Sequence, residues 1–190
     1  MPTGYQIKDQ SKAHFLTFQV VYWVDLFARQ IYRDIVIDSL KYCQREKGLE
    51  IFAFVVMSNH IHALLRSSNE KLSDTIRDFK KYTSKKIIEA IKDNSEESRK
   101  EWMLRLFKHA AKRQNKTGEY QVWTHENHAV EVSSNAFIES KVEYIHNNPV
   151  NAGLVKNPED YVYSSAPVYA GEEGLLEIIP VTFNVKTVKK

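Results

Sequence analysis

Cysteine, long hydrophobic segments and internal repeats are what this sequence lacks. Cys43 is the only cysteine among 190 residues, so no disulfide forms within the chain and a reducing cytoplasm is the expected location. No apolar run approaches the ~18–20 residues that a helix needs to cross a bilayer, so no membrane partner is expected. Without repeats or a long linker, the chain is expected to be a single domain over residues 1–190, with a core at about 14–150 and a C-terminal extension at 151–190.

Net charge is also small, at +3, so nucleic-acid binding has to be argued from clusters of charge. One predicted helix carries a basic stripe with few acids nearby, formed by Arg77, Lys80, Lys81, Lys85 and Lys86. Such a stripe suits phosphates, although a solvated helix face explains it equally well. A second basic cluster consists of Lys108, Lys112, Arg113 and Lys116.

The spacing of apolar residues predicts alternating strands and helices. Runs rich in β-branched and aromatic residues predict strands at 14–22, 50–57, 60–66, 120–123 and 129–132. Apolar residues at helical spacing predict helices at 29–47, over roughly 20 residues from Leu72, around Trp102 and Leu106, and at 136–148. This order predicts an α+β sandwich with an antiparallel sheet.

Local signals predict where the helices begin and end. Gly48 is expected to end the first helix, and Ser67 with Glu70 to form a capping box before the second. Ser134 is among the residues expected to cap the last helix, and Pro149 is expected to end it.

Two histidines follow the tight turn between the second and third strands. The stretch 55–65 predicts a hairpin that turns at Ser58-Asn59. Because side chains alternate along a strand, His60 and His62 point to the same face. Two imidazoles on one rigid strand can hold a divalent metal ion. Ordinary histidines on a solvated strand face give the same pattern, and spacing alone leaves both interpretations open.

The last predicted helix offers a second set of polar side chains. Ile138, Val142 and Ile145 recur at helical spacing and are expected to face the core. Tyr144 lies one position off this stripe, and Asn148 lies one turn further along the same face. If this helix packs across the hairpin, the phenol and the amide oxygen could meet a metal held by the histidines. A buried ring with a solvated hydroxyl, and a polar helix end, are the alternatives.

Two stretches carry a resemblance to a known family. The segment 54–65, Phe-Val-Val-Met-Ser-Asn-His-Ile-His-Ala-Leu-Leu, resembles the His-hydrophobic-His signature of the single-tyrosine (HUH) transposases. The segment 144–155, Tyr-Ile-His-Asn-Asn-Pro-Val-Asn-Ala-Gly-Leu-Val, is similar to their catalytic-tyrosine helix. The continuation at 158–166 resembles the REP-associated tyrosine transposases, a branch of the insertion-sequence-200-like family. One departure is Ser58, where many relatives have proline; it alters the turn but removes no ligand.

The resemblance implies a ferredoxin- or RRM-like sandwich and a DNA-nicking activity. His60 and His62, with Asn148 as the third ligand, would hold Mg²⁺ or Mn²⁺ against the scissile phosphate of single-stranded DNA. Tyr144 would attack phosphorus, form a 5′-phosphotyrosine and release a 3′-hydroxyl. The implied partner is single-stranded or hairpin-containing repeated DNA, bound by a monomer or a homodimer. The implied location is the bacterial cytoplasm, at the nucleoid when the protein is bound to DNA.

Other interpretations stay open at the level of sequence. The same scaffold could bind DNA hairpins without cleaving them, and a small metal-dependent hydrolase could use the histidine pair alone. Tyr82, Tyr161 and Tyr163 are further candidate nucleophiles, but none has a possible ligand four residues later in a helix. Trp123 and the last two tyrosines could stack on unpaired bases or pack in the core. His146 is expected to face the backbone or solvent.

Overall fold

A four-stranded antiparallel sheet with helices on both faces forms the fold in the computed structural model, which describes residues 6–114 and 118–181. The elements are β1 (His14–Gln19), α1 (Gln30–Lys47), β2 (Leu49–Val56), β3 (His60–Ser67), α2 (Leu72–Asp93), α3 (Lys100–Arg113), β4 (Val130–Glu131), α4 (Asn135–Asn151) and α5 (Ala166–Tyr169). The strand order is β2-β3-β1-β4 with every pair antiparallel. This is the ferredoxin-like arrangement, so the predicted α+β sandwich is confirmed.

Alternating side chains give the sheet two apolar faces. Phe18 of β1 and Ile61 of β3 lie in one core with the buried stripes of α1 and α2. Phe15 and Leu64 belong to a second core, which they form with Val142 of α4 and its neighbours. Helices α2 and α4 therefore lie on opposite faces of the sheet, and α4 packs across the histidine hairpin.

The predicted apolar stripes of α1 and α2 are confirmed. The stripe of α1 is buried at Tyr32, Val36, Leu40 and Cys43, and that of α2 at Leu72, Ile76, Phe79, Thr83, Ile87 and Ile91. Gly48 ends α1 at a φ of 61°, and its N–H bonds to the carbonyl of Cys43. Burial raises the pKa of the Cys43 thiol to about 11, as expected for a structural cysteine.

The first strand is shorter than predicted. β1 ends at Gln19, and the chain then turns with Tyr22 and Trp23 at φ values of 56° and 55°. These left-handed conformations are incompatible with an extended strand. The predicted strand at 120–123 is also wrong, since it is reduced to an isolated bridge between Val20 and Trp123.

Two predictions about α3 and α4 are wrong. Met103 and Phe107 form the buried face of α3, whereas Trp102 is 43% exposed, so the predicted stripe is displaced by one position. α4 continues through Pro149 to Asn151. A proline this close to the helix end removes one intrahelical hydrogen bond, and the last turn tolerates that loss.

One of the two caps predicted at helix N-termini forms. Ser134 caps α4, because its hydroxyl accepts a hydrogen bond from the Phe137 N–H at 3.2 Å. The capping box of Ser67 and Glu70 is wrong. Ser67 is the last residue of β3, and its hydroxyl accepts from the Lys71 N–H at 3.3 Å, without a reciprocal bond from Glu70.

The C-terminal segment runs along β2, the outer strand of the sheet. Three backbone hydrogen bonds join this segment to β2. The Val56 N–H donates to the Tyr163 carbonyl (2.9 Å), the Ser165 N–H to the Phe54 carbonyl (3.0 Å) and the Ile179 N–H to the Ile51 carbonyl (2.9 Å). None of the described helices is long and apolar enough to span a membrane. The division into one domain with a C-terminal extension stays a prediction.

Candidate active site at the histidine hairpin

The hairpin between β2 and β3 places two imidazoles side by side. The Met57 N–H donates to the His60 carbonyl at 2.9 Å and closes the predicted Ser58-Asn59 turn. His60 and His62 both face the side of the sheet that α4 covers, and their ring centroids are 4.6 Å apart. The predicted pairing of the two rings on one face is therefore confirmed.

A neighbouring amide fixes the orientation of His60. Asn59 Oδ1 lies 2.7 Å from His60 Nδ1. An amide oxygen can only accept, so Nδ1 carries the proton and Nε2 keeps its lone pair. That tautomer presents a free ligand atom on the ring.

Residues of β1 hold His62 in a similar way. Thr17 pairs with His62 in the sheet, and Thr17 Oγ1 lies 2.9 Å from His62 Nδ1. The Phe15 ring stacks on the imidazole at a centroid distance of 5.4 Å. A hydroxyl on one ring nitrogen is the kind of partner that orients a metal-binding histidine.

Both imidazoles are neutral at neutral pH. Burial lowers the pKa of His60. Burial lowers the pKa of His62 to about 3, together with the repulsion that a protonated His62 would meet from a protonated His60 and from Lys141. Neutral imidazole is the form that coordinates metal ions.

Tyr144 of α4 reaches the histidine pair. Its Oη lies 3.3 Å from His62 Nε2, and the two rings pack edge to face at 5.2 Å. The tyrosine is 45% exposed, so a large part of the residue faces solvent. The Lys141 ammonium lies 4.8 Å from the Phe15 ring centroid and 5.5 Å from that of Tyr144, which places a positive charge beside the phenol.

Asn148 lies one turn beyond Tyr144, as the spacing predicts. Its Nδ2 donates to the Tyr144 carbonyl at 2.9 Å, so Oδ1 is the side-chain atom able to coordinate a cation. Nowhere in the described ranges do three His, Cys, Asp or Glu side chains cluster as a metal site. Two imidazole nitrogens and one amide oxygen are donor atoms that could hold Mg²⁺ or Mn²⁺, with phosphate and water oxygens completing the shell.

The predicted basic stripe lies on the other side of the molecule. Arg77, Lys81 and Lys85 are exposed on α2, which packs on the sheet face opposite to the histidines. The expectation of few nearby acids is wrong. Arg77 pairs with Asp74 at 2.5 Å and Asp78 at 3.2 Å, while Lys85 and Lys86 pair with Glu89 at 3.9 and 3.0 Å.

An open groove of 1160 Å³ runs between α2 and residues 118–129. Lys80 crosses its floor, donating to the Thr124 carbonyl at 2.7 Å and to Asn127 Oδ1 at 2.6 Å. In the second basic cluster, Lys108 pairs with Glu119 at 3.0 Å, and Lys116 falls outside the described residues.

The aromatic residues predicted to stack on bases are otherwise engaged. Trp123 is 3% exposed, and its Nε1 donates to Thr83 Oγ1 at 2.9 Å, so it belongs to the core. The Tyr161 hydroxyl donates to the Val56 carbonyl at 2.8 Å and that of Tyr163 to Asp34 at 2.7 Å. These contacts support a packing role for all three aromatic residues, and not stacking on bases.

His146 is buried, although the sequence predicted contact with backbone or solvent. Its Nε2 lies 2.8 Å from Ser165 Oγ, and its ring packs edge to face on Tyr169. Burial lowers its pKa to about 4. The residue joins α4 to the C-terminal segment.

Sequence reasoning missed one exposed aromatic residue beside the site. Trp23, assigned only to a connecting loop, is 59% exposed, and its ring centroid lies 6.1 Å from that of His60. Trp23 has no periodic or motif signal in the sequence, because its contact joins a turn to the start of β3, which is distant in the chain.

The chain is similar to known proteins in sequence and in fold. Residues 8–105 match the family model described as "Transposase IS200 like"; the matched region contains both histidines, and Tyr144 lies beyond it. The fold resembles that of a REP-associated tyrosine transposase bound to a REP hairpin, with 18% identity, a TM-score of 0.56, and coverage of 96% of this chain and 95% of the other. A Deinococcus radiodurans protein assigned as a transposase has 20% identity and a TM-score of 0.41, over 77% of this chain and 95% of its own. No curated protein sequence matches.

Proposed function

The chain belongs to the family of IS200-like transposases, and we propose that it nicks and rejoins single-stranded DNA through Tyr144. One observation carries the proposal. Tyr144 and His62 are 82 residues apart in the sequence, and their Oη and Nε2 atoms lie 3.3 Å apart. A tyrosine beside two neutral imidazoles unites a nucleophile with a cation site.

The chemistry exchanges one phosphate ester bond for another, so the energy of the phosphodiester bond is kept in the phosphotyrosine linkage. Tyr144 Oη forms a bond to phosphorus, the bond from phosphorus to the 3′-oxygen breaks, and that oxygen takes up a proton as the phenol loses one. A divalent ion held by His60, His62 and Asn148 would withdraw charge from the phosphate. His62 Nε2 can bond only one partner at a time, so the Tyr144 hydroxyl would have to leave it for His62 to hold a cation. Attack by another 3′-hydroxyl then rejoins the strands.

For the substrate we propose hairpin-containing repeated DNA, which would place the chain in the REP-associated branch. The structure with the similar fold is bound to a REP hairpin. The α2 stripe would bind DNA phosphates, although its ion pairs with Asp74, Asp78 and Glu89 reduce its net charge. DNA bound at α2 and cleaved at His62 would have to extend around the sheet.

A covalent-adduct assay tests the proposal. The protein is incubated with Mn²⁺ and a DNA hairpin flanked by single strands, labelled at either the 3′ or the 5′ end. A 5′-phosphotyrosine transfers only the 3′ label to the protein on a denaturing gel. Tyr144→Phe and His62→Ala should abolish the adduct, whereas Tyr82→Phe, which alters an exposed tyrosine of α2, should not.

The outcomes separate the alternatives. An adduct that survives Tyr144→Phe contradicts the assignment of the nucleophile. DNA binding without any adduct supports a hairpin-binding protein that does not cleave. Metal-dependent cleavage without an adduct supports a hydrolase that uses the histidine pair alone.

A further inference from the structure

Trp23 is exposed beside the catalytic histidines, where a buried side chain would be the usual arrangement for tryptophan. It is 59% exposed, and its ring meets that of His60 at an interplanar angle of 75°. Trp23 is the last residue of the short 3₁₀ turn Val21–Trp23, so no later residue of that turn covers its ring. An uncovered indole next to a phosphate-cleaving site is a surface for a flat, apolar ligand group.

The backbone that presents Trp23 is in a costly conformation. Tyr22 and Trp23 have φ values of 56° and 55°. Bulky residues rarely adopt the left-handed region, which glycine or asparagine occupies at little cost. Strain of this kind persists where the surrounding structure enforces it, often at functional sites.

Hydrogen bonds clamp this loop to the histidine hairpin. The Val20 N–H donates to the Asn59 carbonyl at 2.9 Å, and the Phe27 N–H to the Ser58 carbonyl at 2.8 Å. Asp25 ties down the centre of the loop. Its Oδ1 accepts from Ser58 Oγ at 2.8 Å and from Asn59 Nδ2 at 3.3 Å. Trp23 is therefore held in a fixed position relative to His60.

We propose that Trp23 is a stacking platform for an unpaired nucleobase of the DNA strand, at the nucleotide adjoining the scissile phosphate. The inference rests on the proposed function and deepens it. Aromatic stacking binds any base through its π-face, so Trp23 positions the strand without reading its sequence. The clamp through Ser58 and Asp25 transmits that position to His60, and thus sets where the phosphate meets the histidine pair.

DNA binding without cleavage tests the platform. Fluorescence anisotropy with Tyr144→Phe protein, EDTA and a hairpin bearing a single-stranded flank measures affinity alone. Trp23→Ala should weaken binding roughly 5- to 150-fold, and Trp23→Phe should recover most of the loss. Trp102→Ala, which removes another exposed tryptophan, 43% exposed on α3, is the matched control and should bind as before.

An abasic scan locates the contact. Removing single bases along the flank should find one position next to the cleavage site where the abasic DNA binds wild type and Trp23→Ala equally well. If no position removes the difference, or if Trp23→Ala binds normally, the platform is wrong while the proposed nicking stands. If the unsubstituted protein does not bind single-stranded DNA, both fail. A change of oligomeric state in Trp23→Ala would instead make Trp23 a protein contact and overturn the inference.

The strained backbone at Trp23 allows a second, independent test, which compares stability with DNA binding. Trp23→Gly places at φ 55° a residue that adopts this conformation freely. The variant should be at least as stable to urea as the unsubstituted protein, yet bind the flank as weakly as Trp23→Ala. A clear loss of stability would show that Trp23 is a structural residue.

Discussion

His62 is held on three sides, by the Thr17 hydroxyl, the Phe15 ring and the Tyr144 phenol. Each contact acts on a different part of the imidazole. Thr17 bonds Nδ1, Phe15 stacks on the ring face, and Tyr144 lies at Nε2. The imidazole is thereby held in one orientation, which would reduce the cost of ordering it if His62 binds a cation as proposed.

Thr17→Val tests the role of the hydroxyl. The substitution keeps the β-branched shape but leaves His62 Nδ1 without its partner, so Mn²⁺ affinity should fall about 10- to 100-fold. Isothermal titration with Mn²⁺ measures the change. Thr17→Ser retains the hydroxyl and should keep the affinity; equal weakening in both variants would assign the effect to packing.

His146→Gln tests the buried histidine of α4 through pH. The folded pKa of His146, about 4, lies below its unfolded value of about 6.5. Between these values the unfolded chain binds more protons, so the free energy of unfolding falls as pH falls from about 6.5 to about 4, by up to about 3 kcal/mol. His62 contributes in the same direction.

Urea unfolding at pH 7 and pH 4.5 provides the measurement. The loss of stability at the lower pH should be smaller in His146→Gln than in the unsubstituted protein. Asn147→Gln, at the next residue of α4, exchanges one amide side chain for another and should leave the loss unchanged. An unchanged loss in His146→Gln would contradict the buried, neutral assignment.

At the scale of elements, a buried carboxylate joins the start of α1 to the loop before α3. The Glu97 side chain is fully buried. Its Oε2 forms an ion pair with Arg29 Nε at 2.9 Å. Oε2 also accepts a hydrogen bond from the Tyr32 hydroxyl at 3.0 Å, and Oε1 accepts one from Arg99 Nε at 3.1 Å. Burial alone would raise the pKa of Glu97, but these hydrogen bonds outweigh it and the pKa is lowered.

Glu97→Gln should therefore destabilise the fold by about 1–3 kcal/mol, because two guanidinium groups lose their shared anion. Thermal unfolding at pH 7 measures the loss. Glu96→Gln makes the same charge change at the adjacent, exposed residue and should unfold at the original temperature. A similar fall in both variants would mean that net charge, and not this buried cluster, controls stability.

The helices that were predicted correctly from the sequence are those in which the apolar residues keep one helical spacing over several turns. The stripes of α1 and α2 extend over several turns, so only one helical register buries them. α3 offered apolar residues in two neighbouring registers, and tertiary packing chose Met103 and Phe107 over Trp102. The end of β1 was not predictable either, because left-handed Tyr22 and Trp23 contradict their own local preferences.

At the scale of the whole molecule, the histidines, Tyr144 and Asn148 could be selected from local spacing and family resemblance. Their meeting required α4 to pack across the hairpin, which the structure shows for Tyr144. The positions of Trp23 and of the Asp25 clamp could not be predicted from the sequence, because they depend on contacts between segments that are distant in the chain. Ser58 and Asp25, for example, are 33 residues apart.

Coverage of β2 by the C-terminal segment suggests a stability experiment on the complete fold. A chain shortened to residue 160 would lose the bonds that Tyr163, Ser165 and Ile179 make with β2, and would expose an apolar outer strand. It should self-associate at concentrations where the full chain does not, as measured by light scattering. A monodisperse shortened chain would show that β2 needs no cover.

The Tyr144 hydroxyl and His62 meet within one polypeptide, so the proposed nucleophile and the proposed metal-binding pair would act together within one molecule. Two inactive variants, His62→Ala and Tyr144→Phe, should therefore fail to complement each other when mixed or co-expressed. Enzymes that exchange a catalytic helix between subunits would recover activity in that mixture. A gene for this protein should accordingly behave as a self-sufficient unit, in which one defective copy neither rescues nor poisons another.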